Sequence, residues 1–220
     1  MNKHSIQIIC CTMLKMCAVY AIDRYEILRY VQQQNFKDCA LVIIDMWDKH
    51  WCKTISLEAD LLAVKIDKFA NEFRYFGGTV IHAAYFCMPD PGPGIKSPIA
   101  KQFLKFSAFR GCKCCDLACQ KFRNKPVWSK INSAIYVDKT DHTIIKHTDL
   151  FKLKNIKNYF LVGQHVNECM LERPVGCFNL KFYGKDFCII QDLVNEGFIY
   201  SCPKNIKQEF FELISFLRNR

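Results

Sequence analysis

No stretch of the sequence is apolar for long enough to cross a bilayer. The apolar run at Ser5–Leu14 is short, whereas a spanning helix needs about 20 residues. No basic run and no RNA-binding aromatic signature accompanies the net charge of +10. The lysines are scattered, so they read as a solvated surface and not as the clustered charge that neutralises phosphates. Neither a nucleic-acid partner nor a stable membrane span is therefore expected. Repeats, low-complexity tracts and an interdomain linker are also missing, which leaves one full-sized domain within 220 residues.

Cysteine, by contrast, is abundant, with 14 residues. A chain this large and apolar does not depend on a disulfide scaffold. Cys39, Cys87 and Cys188 lie in or beside apolar runs, where cysteine acts as a small buried hydrophobe. Cys112, Cys114, Cys115 and Cys119 form a C-x-C-C-x-x-x-C cluster. Its adjacent cysteines seldom both bind one tetrahedral zinc, so disulfides or free thiols compete with metal there.

At the N-terminus, Lys3 precedes the apolar run, and Val19-Tyr20-Ala21 resembles a small-residue cleavage site. Residues 1–21 are expected to be a signal peptide or, given the interrupting Lys15, a packed N-terminal helix. The first reading implies a secreted or other extracytoplasmic location, and makes disulfides expected. The domain then covers residues 22–220, with an irregular cysteine-rich insertion at about 88–130.

Ala40–Ile44 (ALVII) predicts a strand buried on both faces, ending at Asp45. A helix follows, capped by Ser56 and running to about Phe76. Its stripe Leu62, Ile66, Phe69, Phe73 and Phe76 repeats at helical spacing, and Gly77-Gly78 ends it. Further strands are predicted at Thr79–Ala84, Ala134–Val137, Tyr159–Val162 and Phe187–Ile190. A helix from Asn167 to about Tyr183, broken or restarted at Pro174, and an amphipathic helix over Asn205–Leu217 complete the pattern. Alternation of strands and helices predicts a three-layer α/β/α domain with a mostly parallel central sheet. Such sheets bind ligands beyond the carboxyl ends of their strands, where Asp45 and the loop to Cys169 fall.

Gly163-Gln164-His165-Val166-Asn167-Glu168-Cys169 reads as strand, tight loop and cysteine at a helix start. A helix N-terminus favours a thiolate, and unpaired N–H groups can hold an oxyanion. Asp45, if desolvated, is a candidate base for the thiol proton.

These residues resemble the isochorismatase-like cysteine hydrolases, which include nicotinamidases and related amidases. The likeness rests on Ile43-Ile44-Asp45-Met46, on Gly163 through Cys169 as G-x-x-x-N-x-C, and on Gly184-Lys185 with Asp192. It spans about Ala40 to Asp192. A subgroup hallmark resembles Asp45-Met46-Trp47-Asp48-Lys49-His50-Trp51-Cys52, with Cys112-Lys113-Cys114, Trp128, Arg173-Pro174 and Gly176 also fitting. The resemblance implies an Asp–Lys–Cys triad and hydrolysis of a C–N bond in a small molecule. Asp45 and Cys169 carry over. For the lysine, Lys139 has the family spacing to Thr148-Asp149-Leu150, with Lys146 or no lysine as alternatives. The oxyanion site would use Gln164, His165 and Cys169 around a cis Gln164–His165 peptide. Trp47, His50 and Trp51 would line the substrate pocket.

Nicotinamidases hold a metal through Asp-x-His and further histidines. Asp48 and His50 could supply part of such a set, but Tyr85–Gly94 contains no histidine, so no metal and no cofactor is expected. Two rival readings stay open: a non-enzymatic protein that keeps the fold, and a zinc-stabilised interaction module built on Cys112–Cys119. Assembly into a homo-oligomer is left open as well.

Overall fold

The computed structural model describes residues 36–84, 92–103, 129–166 and 168–195, with positions 209 and 212. Its elements are β1 (Cys39–Ile44), α1 (Lys53–Tyr75), β2 (Thr79–Ala83), α2 (Pro98–Phe103), β3 (His142–Thr143), β4 (Asn158–Gln164), α3 (Cys169–Glu172), α4 (Cys177–Phe182) and β5 (Asp186–Asn195). The five strands form one parallel sheet in the order β3-β2-β1-β4-β5.

Every residue of β1 is buried because each face of the sheet has its own cover. Leu41 and Ile43 pack towards α1 together with Phe160 and Val162 of β4. Ala40, Val42 and Ile44 join Tyr159 and Leu161 in the opposite layer, against residues of α2, α3 and α4. The fold is thus a three-layer α/β/α arrangement, and continuous apolar strands are what two covered faces require. Among the described residues, no helix is long and apolar enough to cross a membrane.

The expected stripe on α1 is present, with Leu62, Ile66, Phe69 and Phe73 buried. Phe73 meets Phe36 edge-on at 5.0 Å between ring centroids and Phe160 at 6.0 Å. Burying each such side chain contributes about 1.5–3 kcal/mol. Gly77 follows the helix at φ +86°, a conformation that glycine adopts without penalty. Ser56 does not cap α1, which starts three residues earlier. Its hydroxyl accepts from the His50 N–H at 2.7 Å and donates to the His50 carbonyl at 3.1 Å. This clasp ties the loop after β1 to the first turn of α1.

The expected strand at Ala134–Val137 is irregular instead, and the third strand is His142–Thr143. The reason is competition from side chains of α1. The Tyr136 N–H donates to Asp67 at 2.7 Å, and the Tyr136 carbonyl accepts from Arg74 at 2.9 Å. The expected helix over residues 167–183 divides into α3 and α4 around Pro174. Proline disfavours the helical region for its predecessor, and Arg173 is extended there at ψ 157°. β5 runs on to Asn195, so Asp192 lies exposed within the strand and not at its end. The N-terminal 1–21 segment, the Cys112–Cys119 cluster with Trp128, and most of the 205–217 helix lie outside the described residues. Cys39, Cys52, Cys177 and Cys188 are buried.

A polar network is buried beside β2. Asp141 accepts Arg74 Nε at 2.9 Å and Nη2 at 2.6 Å, and its Oδ2 lies 2.7 Å from His82 Nε2. Burial, helped by the Arg74 charge, holds the His82 pKa below its ordinary value despite Asp141. Burial acts to raise Asp141, but hydrogen bonds from Arg74 and His82 outweigh it and hold the carboxyl low. A histidine kept neutral by folding contributes stability above its unfolded pKa, and that stability is lost as pH falls below it. Wild-type stability is therefore expected to drop from pH 7.5 to pH 5.5, across the histidine reference value of 6.5. His82→Gln should show a smaller drop in urea denaturation. Equal drops in both proteins would rule His82 out as the source.

Candidate active site

The register of the two central strands builds the site. Ile44 pairs with Gly163, so Asp45 and Gln164 emerge side by side where β1 and β4 end. Gly163 sits at φ +108°, and a Cβ there would lie 2.2 Å from the Ile44 carbonyl oxygen. Only glycine permits this approach, which accounts physically for the glycine that opens the loop motif.

Asp45 is fully buried and adopts φ +47°. Its N–H donates to the Ala83 carbonyl at 3.2 Å, and its carbonyl accepts from Trp47 at 3.0 Å. Aspartate is among the few side chains that tolerate the left-handed region, at a cost of about 1–3 kcal/mol. The loop beyond is fixed by a second strip of chain. Trp47 bridges Ile131, Asn132 donates its N–H to Met46 O at 2.9 Å, and the Asn132 side chain donates to Asp60 at 2.7 Å.

The Asp45 carboxylate meets two groups from the segment after β4. Its Oδ2 accepts Arg173 Nε at 2.6 Å, and it is hydrogen-bonded to the Cys169 thiol. Arg173 Nη2 lies 3.7 Å from Cys169 Sγ, so acid, thiol and cation form one closed triangle. The guanidinium also lies 5.8 Å from the centroid of the Trp47 ring, within range of a cation–π attraction. Arg173 is held at its backbone by Asn179, which donates to its carbonyl at 3.2 Å and accepts from the Gly94 N–H at 2.9 Å.

The protonation of this triangle differs from the thiolate expected at a helix start. Burial, followed by the Asp45 charge, pushes the Cys169 thiol well above its ordinary value, against the opposing pull of Arg173. The short helix α3, four residues long, supplies too few aligned peptides to reverse that. Cys169 is thus a thiol donating to a buried carboxylate, and a cation stands beside it.

The other expected residues divide into neighbours and outsiders. His50 contacts Trp51 at 4.9 Å and His165 edge-on at 5.6 Å between ring centroids. His50 Nδ1 accepts the Cys52 N–H at 3.0 Å, and burial pushes its pKa down to about 4, so the ring is neutral near pH 7. Gln164 and His165 are buried at the end of β4, and their connecting peptide is trans. Asp48 turns away to accept the N–H groups of Ser129 and Lys130 at 2.9 and 3.2 Å, and it is not aimed at His50.

Lys139 is exposed on the Asp138–Asp141 turn, which the Arg74–Asp141 ion pair ties to the last turn of α1. Lys146 is exposed at the start of the turn His147–Lys152. The structure brings neither lysine to Asp45 and Cys169; the cation it brings is Arg173. Sequence reading noticed Arg173 only as part of a motif. The pointer to its role was its spacing of four from Cys169, just before a proline that ends the helix. No protein-family model matches the chain, and no curated protein matches it significantly.

Proposed function

We propose that the chain is a cysteine hydrolase of the isochorismatase-like type, which cleaves an amide C–N bond in a small molecule. The observation that carries this reading is the Asp45–Cys169–Arg173 triangle beyond the strand ends. Asp45 takes the thiol proton as sulfur attacks the carbonyl carbon, and Arg173 stabilises the negative charge as it passes from the carboxylate to sulfur. Backbone amides of the loop around His165 and Cys169 hold the oxyanion. Collapse of the tetrahedral adduct breaks the C–N bond, and the proton on Asp45 passes to the departing amine. Water, deprotonated by Asp45, then releases the acid from the thioester and restores the thiol. In this reading Arg173 does the electrostatic work that the resemblance assigns to a lysine. Trp47, His50 and Trp51 are offered as substrate contacts.

A panel of small amides incubated with the wild-type protein and Cys169→Ala tests the proposal. Turnover of at least one amide is expected in the wild type and none in the variant. Equal hydrolysis by both proteins would exclude Cys169 as nucleophile. The elevated Cys169 pKa favours a second reading, a non-enzymatic protein that keeps the fold. Absence of turnover, with Cys169 alkylated no faster than an ordinary thiol, would select it.

A further inference from the structure

His165, Glu168 and Cys169 occupy positions i, i+3 and i+4 of the turn that leads into α3. The backbone closes that turn with the Glu168 and Met170 N–H groups both donating to the His165 carbonyl at 3.1 Å. An imidazole nitrogen, a carboxylate oxygen and the thiol sulfur lie within 4.8 Å of one another across this turn. Tetrahedral zinc, with bonds of about 2.0 Å to N and O and 2.3 Å to S, needs ligand atoms roughly 3.3–3.8 Å apart. Small side-chain rotations would close that difference.

We infer that His165, Glu168 and Cys169 form a binding site for a zinc-class divalent cation, which reversibly caps the Cys169 sulfur. The donor set selects the metal: nitrogen, oxygen and sulfur together suit zinc or cadmium, whereas magnesium and calcium prefer oxygen alone. Three protein ligands leave the fourth tetrahedral position for water or a substrate atom. Zinc-class ions take sulfur as the thiolate, so binding there releases the Cys169 proton. Coordination rests on this geometry alone; its effect on turnover rests on Cys169 being the nucleophile.

The test is titration of the full, reduced chain with Cd²⁺, read by the ultraviolet absorption of cadmium–thiolate bonds. Because the chain holds 14 cysteines, the readout is a difference. Cys169→Ser should bind one equivalent fewer than the wild type. Glu168→Gln and His165→Asn should each weaken that equivalent by at least about tenfold, the scale of losing a metal-site partner. In the unmodified protein, Zn²⁺ should slow alkylation of the Cys169 peptide, and a chelator should restore it. This second measurement needs no variant to fold. Equal equivalents in wild type and Cys169→Ser, or Cys169 alkylation indifferent to Zn²⁺, would overturn the site. If an amide substrate is found, Zn²⁺ should stop its hydrolysis reversibly. A bound equivalent at Cys169 with no amide turned over would instead keep the metal site and reject the hydrolase reading.

Discussion

Arg173→Met is expected to cost about 3–5 kcal/mol of stability and to abolish any turnover that depends on Cys169. Asp45 has no exposed surface, and its Oδ2 is 2.6 Å from the Arg173 guanidinium. Removing one partner of a buried ion pair leaves the other charge desolvated, and that, more than the lost attraction, sets the size of the effect. The double variant Asp45→Asn/Arg173→Met should recover most of the lost stability, because no charge is then stranded. Asparagine also suits the left-handed backbone that residue 45 adopts. On the proposed mechanism, activity should not return with stability, since the double variant lacks the carboxylate assigned to receive the thiol proton. Urea denaturation of the four proteins of this cycle measures the coupling. If the double variant is as unstable as Arg173→Met, the guanidinium is not there to neutralise Asp45.

Gly163→Ala should destabilise the domain by about 2–6 kcal/mol. Backbone strain at φ +108° accounts for roughly 1–3 kcal/mol and overpacking for a similar amount. The added carbon would press on the Ile44 carbonyl at 2.2 Å and on the Ile44 nitrogen at 3.0 Å. Neither atom can swing aside, since both belong to the central strand, so β1 and β4 must part where the site begins. Gly77→Ala is the matched control. Gly77 also has positive φ, but a Cβ there meets nothing within 4 Å. Its cost should stay near the roughly 1–2 kcal/mol of a left-handed residue alone. Equal melting temperatures for the two variants would show that contact with Ile44 is not what requires glycine at 163.

Much of the fold was legible because its signals are local. The β-branched run before Asp45 and the 4, 3, 4, 3 spacing of α1 both report burial directly along the chain. The third strand was not legible. Ala134–Val137 carries strand-forming residues, yet its backbone groups are taken by Asp67 and Arg74 from more than sixty positions away. The true β3 is only two residues long and too short to leave a pattern.

The site divides along the same line. Asp45 and Cys169 could be placed at strand ends from local motifs, and their meeting then followed from parallel pairing of β1 with β4. The cation could not be chosen this way. Spacing to Thr148-Asp149-Leu150 suggested Lys139, but spacing along a chain does not say which part of the domain a loop serves. Arg173 reaches Asp45 only through the β1–β4 register together with the break at Pro174.

Asp45 and Arg173 are 128 positions apart in sequence, whereas Arg173 and Cys169 are four apart. During synthesis the carboxylate therefore leaves the ribosome well before the thiol and the guanidinium, which emerge almost together. Until β4 docks beside β1, the Asp45 carboxylate cannot reach Cys169 or Arg173. The triangle is thus a product of finished topology. A stalled or truncated chain carries its parts without their arrangement, so the thiol–carboxylate contact also reports that the central sheet has closed.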